Sequence, residues 1–261
     1  MKPYLILIIL ALSCNTAPKK EVVIPPPIPT EEQGIKNAIA QFPDSMLLKE
    51  NLIQYYREND DYTKAIAEVN YSISTDSSNA RYWHIKAVLH FENDDTLQAI
   101  YSFEKELNIQ PNTTAIISLG TLYAQSKNKQ AIELANLLIA NFKSTSEKEA
   151  YFIKGLYYSA IKDNTQAIDF FDRCIKLDFT FMESYREKSI ALYNLQKYNE
   201  AIAVLNRAVT LQNNYSEGYY YLGLCYERIN NTEAAAASLQ KALLYNPNDE
   251  EAKIALKKYI E

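Results

Sequence analysis

Residues 216–249 read SEGYYYLGLCYERINNTEAAAASLQKALLYNPND, and the phrase Thr232-Glu233-Ala234-Ala235 within them has counterparts elsewhere in the chain. Upstream stand Tyr62-Thr63-Lys64-Ala65-Ile66, Thr96-Leu97-Gln98-Ala99-Ile100 and Asn128-Lys129-Gln130-Ala131-Ile132. Thr165-Gln166-Ala167-Ile168 and Asn199-Glu200-Ala201-Ile202 complete the set. The aligned alanines Ala65, Ala99, Ala131, Ala167, Ala201 and Ala235 are 34, 32, 36, 34 and 34 residues apart. Pro43, Pro111 and Pro247 fall on the same grid, two and four periods apart, and Gly120, Gly155 and Gly223 recur at 35 and 68. Three residue types agreeing on one frame establish a repeat of period 34 with one local slip that is later restored.

A unit of this length and pattern resembles the tetratricopeptide repeat (TPR). The family places an aromatic residue at position 4, Leu at 7, Gly at 8, Tyr at 11, Ala at 20, a bulky residue at 24, Ala at 27 and Pro at 32. Residues 216–249 match throughout, with Tyr219, Leu222, Gly223, Tyr226, Ala235, Leu239, Ala242 and Pro247. The other units, about 46–79, 80–113, 114–147, 148–181 and 182–215, match in part, and the slip falls in 114–147. The resemblance implies an all-α fold, a right-handed α-solenoid of about six helix-turn-helix hairpins. Small residues at 8, 20 and 27 let the paired helices approach, and large ones at 4, 11 and 24 fill the remaining space. Proline at 32 ends the second helix, because it lacks an N–H and restrains its predecessor. A lone hairpin cannot bury its apolar face, so the units stack and need polar ends. Residues 31–45, finishing at Pro43, read as the second helix of a degenerate half-repeat, and 250–261 as a capping helix with one charged face.

Composition agrees with a helical reading. Only five glycines occur in 261 residues, and both helix interiors and the absence of tight strand turns favour that scarcity. A formal charge of −5 offers no basic field to displace counterions, so nucleic acid is not an expected partner.

The first thirty residues differ from the rest. Met1-Lys2 is a short positive start, and Tyr4 to Leu12 is an apolar run of nine. A membrane span needs about 20 apolar residues, so residues 1–13 read as a signal peptide. Leu10-Ala11-Leu12-Ser13-Cys14 resembles the lipobox of bacterial lipoproteins, with Ala11 where that family prefers leucine. The resemblance implies acylation of Cys14 and a lipid anchor. Residues 14–30 include Pro25-Pro26-Pro27-Ile28-Pro29 and read as a proline-rich tether, extended and unable to form a helix ladder.

Residues for catalysis are sparse. The only histidines, His84 and His90, are six apart and point to nearly opposed sides of one helix, which suits one groove residue and one packed residue rather than a metal site. Cys174 and Cys225 belong to units four and six, which are not stacked neighbours, so they are expected to remain buried thiols. Glu58-Asn59-Asp60-Asp61 and Glu92-Asn93-Asp94-Asp95 lie at hairpin turns and lack the spacing and glycine of an EF-hand loop. There is no Gly-rich phosphate loop, no Gly-x-Ser-x-Gly and no His-Glu-x-x-His. The expectation is a protein that is not an enzyme and takes no cofactor, metal or small-molecule substrate.

In the resembled family the first helices line a concave face, with positions 2, 5, 9 and 12 pointing into it. Here that implies a groove of His84, Val88 and Phe91, then Phe152 and Leu156, then Arg186, Ile190 and Tyr193, then Tyr220 and Leu224. The family's Lys/Asn/Arg clamp for a terminal carboxylate is absent, since Glu50 and Gln54 hold such positions. The groove is aromatic and aliphatic, with Glu183, Glu217 and Glu227 nearby, and suits an amphipathic helix or extended peptide of a protein partner. The expected role is a membrane-anchored scaffold, an exported outer-membrane or cell-envelope lipoprotein that faces the periplasm or the surface. The alternative is a structural subunit of an envelope secretion, motility or assembly machine, held by its convex face. A glycan-directed accessory would need a polar groove with paired carboxylates.

Overall fold

The computed structural model describes residues 30–259, so the signal-peptide, Cys14 and most tether readings lie outside the described residues. Among the described residues there are thirteen helices and no strand. Helix α1 spans Glu31–Gln41, α2 Met46–Glu58, α3 Tyr62–Thr75, α4 Ala80–Glu92, α5 Thr96–Ile109 and α6 Thr113–Gln125. Helix α7 spans Gln130–Ala160, α8 Asn164–Leu177, α9 Met182–Asn194 and α10 Tyr198–Leu211. Helix α11 spans Ser216–Arg228, α12 Thr232–Tyr245 and α13 Glu250–Lys257. Each helix packs mainly on its sequence neighbours, which is the all-α solenoid of hairpins.

One turn design joins the helices of every hairpin. In the first, the amide of Asp61 donates to the carbonyl of Tyr56 (2.9 Å) and that of Asp60 to the carbonyl of Arg57 (3.1 Å). This is a Schellman closure, and it requires a left-handed residue just past the helix. Asp60, Asp94, Lys127, Lys162, Gln196 and Asn230 fill that position with φ between 56° and 68°, and none is glycine. The following residue often caps the next helix: Asp61, Asp95, Asp163 and Asn231 accept from the amides of Lys64, Gln98, Gln166 and Ala234. The acidic turn clusters are therefore turn chemistry, in which one aspartate adopts the left-handed conformation and the next caps a helix.

The paired helices touch where glycine permits it. A Cβ added at Gly223 would stand 2.6 Å from Leu239 Cγ, and one at Gly155 would stand 2.4 Å from Phe171 Cε1. Leu239 and Phe171 are fully buried, filling the space against the preceding helix. At the ends, α1 lays Ile35 and Ile39 on Leu52, Ile53 and Tyr56, and Ala255 and Leu256 of α13 close over Leu239.

The slip has a location. From the aligned alanine to the next left-handed residue the chain takes 29 residues in Ala65–Asp94, Ala167–Gln196 and Ala201–Asn230, but 31 in Ala131–Lys162. The extra two residues lie in α7, which joins the second helix of one unit to the first of the next without a proline. There Phe142 (φ −134°, ψ 31°) and Ser146 (φ −139°, ψ 16°) leave helical geometry. The gain is offset upstream, because Asp94 to Lys127 is 33 residues instead of 34 and Lys127 to Ala131 is four instead of five.

Candidate functional site

In the downstream half the first helices approach one another on one side of the stack. Helix α9 touches both α11 and α7 directly, and no two second helices pack comparably. On this inner side two adjoining cavities lie between α2, α4 and α6. One, of about 420 Å³, is lined by Glu50, Asn51, Gln54, Arg57, Arg81, His84 and Val88 among others. The second, of about 250 Å³, is almost wholly apolar and is lined by Val88, Phe91, Phe103, Ile117, Ser118, Thr121 and Leu122. Val88 borders both, so the polar and apolar recesses adjoin, and Phe91 stands 51% exposed at the rim.

The charges of the first cavity are paired across adjacent helices. Arg57 donates from Nε and Nη2 to Glu92, and Arg81 likewise donates to Glu50. Burial weakens the guanidinium charge of Arg57, but the bond to Glu92 outweighs it and raises its pKa; the bond to Glu50 does the same for Arg81. His84 places Nδ1 2.9 Å from Oε2 of Glu106, whose Oε1 accepts from the Asn112 side chain at 2.8 Å. Glu106 is only 4% exposed. His90, six residues on, is buried, and desolvation lowers its pKa.

The downstream groove residues are more deeply engaged. Phe152 is half-buried, with its ring centroid 5.0 Å from Phe181 and 5.8 Å from Phe171, and Leu156 packs into the same cluster. Arg186 donates to Glu217 (2.8 Å) and to Glu187 (3.1 Å). Burial opposes its charge, yet these two carboxylates hold it cationic, while burial raises the Glu187 carboxyl. Tyr193 sits edge-on to Tyr198, with the Arg228 guanidinium over both rings. Tyr220 packs against the Leu239 cluster, and burial followed by the field of Glu251 pushes its hydroxyl up to about 12. Ile190 and Leu224 are half-buried. Of the ten predicted residues, His84, Val88 and Phe91 border the two recesses, whereas Phe152, Leu156, Arg186, Ile190, Tyr193, Tyr220 and Leu224 lie away from them.

Sequence reasoning missed Phe103, Glu106, Ile117 and Thr121. Ile117 and Thr121 escaped because the slip shifts the frame of their unit. Glu106 carried a readable signal, since it lies seven residues after Ala99 where other units hold Ser72, Cys174, Ala208 and Ala242. Among the described residues, no group of three or more His, Cys, Asp or Glu side chains is disposed to hold a metal ion. Cys174 and Cys225 are free and fully buried, and burial pushes each thiol up to about 12.

Residues 148–181 and 192–259 each match a family model described as tetratricopeptide repeat. A TPR repeat-containing protein of Methanocaldococcus jannaschii is 24% identical over 231 residues, covering 83% of this chain and 39% of that one. A DnaJ homolog subfamily C member 7 homolog of Dictyostelium discoideum is 26% identical over 232 residues, covering 86% and 40%. The chain thus spans about two fifths of the length of these curated relatives. Among solved structures, a tetratricopeptide repeat protein from Parabacteroides merdae superposes with a TM-score of 0.73 at 21% identity, covering 88% of this chain and 91% of that one. PilW, a type IV pilus biogenesis factor, superposes with a TM-score of 0.64 at 17% identity, covering 80% and 97%. These likenesses place the fold among TPR solenoids.

Proposed function

We propose that this TPR solenoid is a membrane-anchored adaptor of the bacterial cell envelope that holds a peptide or helix of a partner protein in its inner groove. The observation that carries the reading is the pair of recesses joined at Val88, open to solvent and flanked by exposed Phe91. Exposed apolar surface next to a formed recess is what a buried anchor side chain of a partner fills. Membrane attachment rests on Cys14 at the end of the apolar run Tyr4–Leu12, and the tether of residues 14–30 gives reach from the surface. The same leader supports export to the outer membrane or cell envelope, with the solenoid facing the periplasm or the surface.

The test is capture of partners from detergent-solubilised envelope by the full chain and by a Phe91→Ser/Thr121→Arg variant, which removes the rim and fills the apolar recess. These sites are preferable to Phe152 and Tyr220, whose truncation would also loosen the stack. A partner lost only with the variant supports the groove. A partner kept by that variant but lost with Leu97→Glu, a second-helix residue 79% exposed, moves the interface to the outer side and favours a permanent machine subunit. Cys14→Ser is expected to release the protein from the membrane fraction, and retention there would refute the anchor.

A further inference from the structure

We infer that His84, held by the buried carboxylate of Glu106, is the polar recognition contact of the groove and accepts a hydrogen bond from a lysine or arginine of the partner, whose neighbouring apolar side chain fills the recess between α4 and α6. This deepens the proposed groove reading and rests on it. The starting point is a departure from the repeat. Seven residues after each aligned alanine stand Ser72, Glu106, Leu138, Cys174, Ala208 and Ala242, and only one of these is charged. Stacking evidently needs no carboxylate there, and burying one is costly unless it is fully bonded. Each oxygen of Glu106 has a partner, and the two contacts tie α5 to α4 and to the N-terminus of α6. Oε1 accepts from Asn112 (2.8 Å), whose own side-chain oxygen accepts from the Ala115 amide and caps α6, while Oε2 faces Nδ1 of His84 on α4.

That geometry decides which ring nitrogen is free. An ionised carboxylate only accepts, so the Nδ1 facing Glu106 carries a proton, and in the neutral form of the ring the Nε2 lone pair stays free. The ring lines the larger cavity and meets Phe103, a wall of the apolar recess, edge-on with centroids 5.8 Å apart. Val88, one helical turn along from His84, borders both recesses. A fixed acceptor and an apolar pocket therefore lie side by side. The charged groups around the larger cavity are Glu50 and Arg57 from α2 and Arg81 from α4, which line it, Glu92 from α4, which binds Arg57, and Glu106 from α5, which holds His84. Arg57 pairs with Glu92 and Arg81 with Glu50, so with a neutral His84 ring the two guanidinium groups leave one of three carboxylates without a cation. The complementary donor is a cation.

Two measurements test this on the full chain. With only two histidines in the sequence, ring 15N shifts identify the tautomer of each, and His84 is expected to be protonated on Nδ1. In Glu106→Gln the side-chain amide donates to Nδ1 and moves the proton to Nε2, with urea unfolding as the control that the variant folds. A random dodecapeptide display library is then panned against the wild type. The enriched sequences are expected to pair a Lys or Arg with an apolar residue. Their affinity should fall about 10- to 100-fold in Glu106→Gln and in His84→Ala, the loss of one charge-assisted hydrogen bond. An Nε2–H tautomer or a doubly protonated His84 ring in the wild type, enriched peptides without a basic residue, or unchanged affinity in both variants overturns the inference and leaves the groove standing. A library yielding no peptide that Thr121→Arg blocks overturns the groove reading as well.

Discussion

Replacing Gly155 by alanine probes the tightest contact that a Cβ would make at any described glycine. The added Cβ would lie 2.4, 2.7 and 2.9 Å from Cε1, Cδ1 and Cζ of Phe171, against an ordinary carbon contact of about 3.5–4.0 Å. Phe171 cannot retreat, because it is fully buried with Ala167 and Ala191 and backed by Phe152. Overpacking costs roughly 1–3 kcal/mol, and three ring atoms inside contact distance put this site near ~3 kcal/mol. Alanine recovers ~1 kcal/mol of helix propensity over glycine, which leaves a net loss of ~2 kcal/mol. For a chain of this size that corresponds to a fall in Tm of roughly 4–8 °C. Gly34→Ala is the matched control, because its Cβ would meet nothing within 4 Å, and a gain of ~0.5–1 kcal/mol is expected. Urea unfolding followed by circular dichroism at 222 nm measures both. The reasoning is refuted if Gly155→Ala is as stable as the wild type while Gly34→Ala shows its gain, since the two helices would then be farther apart than they stand. The Gly155→Ala/Phe171→Leu double variant should regain part of the loss through the smaller side chain.

Lys162→Gly should stabilise by ~0.5–1 kcal/mol, because φ of 68° is costly for a residue with a Cβ, and a raised urea midpoint checks it. Asp95→Ala removes the oxygen that accepts from the Gln98 amide and should cost ~1 kcal/mol by the same assay, with Asp95→Asn restoring most of it. The two buried thiols should leave an alkaline signature. Each is pushed from 9.0 to about 12 by burial, so the unfolded chain loses these protons first. Stability is intact below pH 9 and falls between about 9 and 12 by up to ~1.4 kcal/mol per thiol per pH unit. The tyrosines also titrate there, so the check is that Cys174→Ala/Cys225→Ala shows a shallower fall than the wild type.

What the sequence disclosed was whatever repeats. The period appeared from Ala65 to Ala235, and with it the hairpin stack, because each unit solves the same local packing problem and shows the same small and large residues. The turn clusters were readable as turns, but their division of labour was not. That Asp60 takes a left-handed conformation and Asp61 a cap depends on hydrogen bonds to Arg57, Tyr56 and Lys64. The groove was legible as helix positions and only partly as surface. Phe152 occupies a groove position, yet its ring is flanked by Phe171 from α8 and Phe181 beyond it, contacts that no single-helix pattern encodes. Ile117 and Thr121 were hidden by the shifted frame. Glu106 was visible as an exception to the period and acquired meaning only when His84 and Asn112 were found beside it.

The two extra residues in α7 bear on how the chain comes apart. In a stack whose units touch only their neighbours, stability is a sum of unit and interface contributions, and the boundary between folded and unfolded segments settles at the weakest interface. Phe142 and Ser146 interrupt the helical ladder at the midpoint, between three hairpins on either side. A domain wall resting there leaves each half with three intact hairpins but parts Ala150 and Ile153 from the core they share with Leu119, Ala135 and Leu138. Amide exchange under native conditions should therefore show two blocks of protection meeting near residues 142–146. Coincident opening of α3 and α12 would instead mean that the kink transmits cooperativity as well as any other junction.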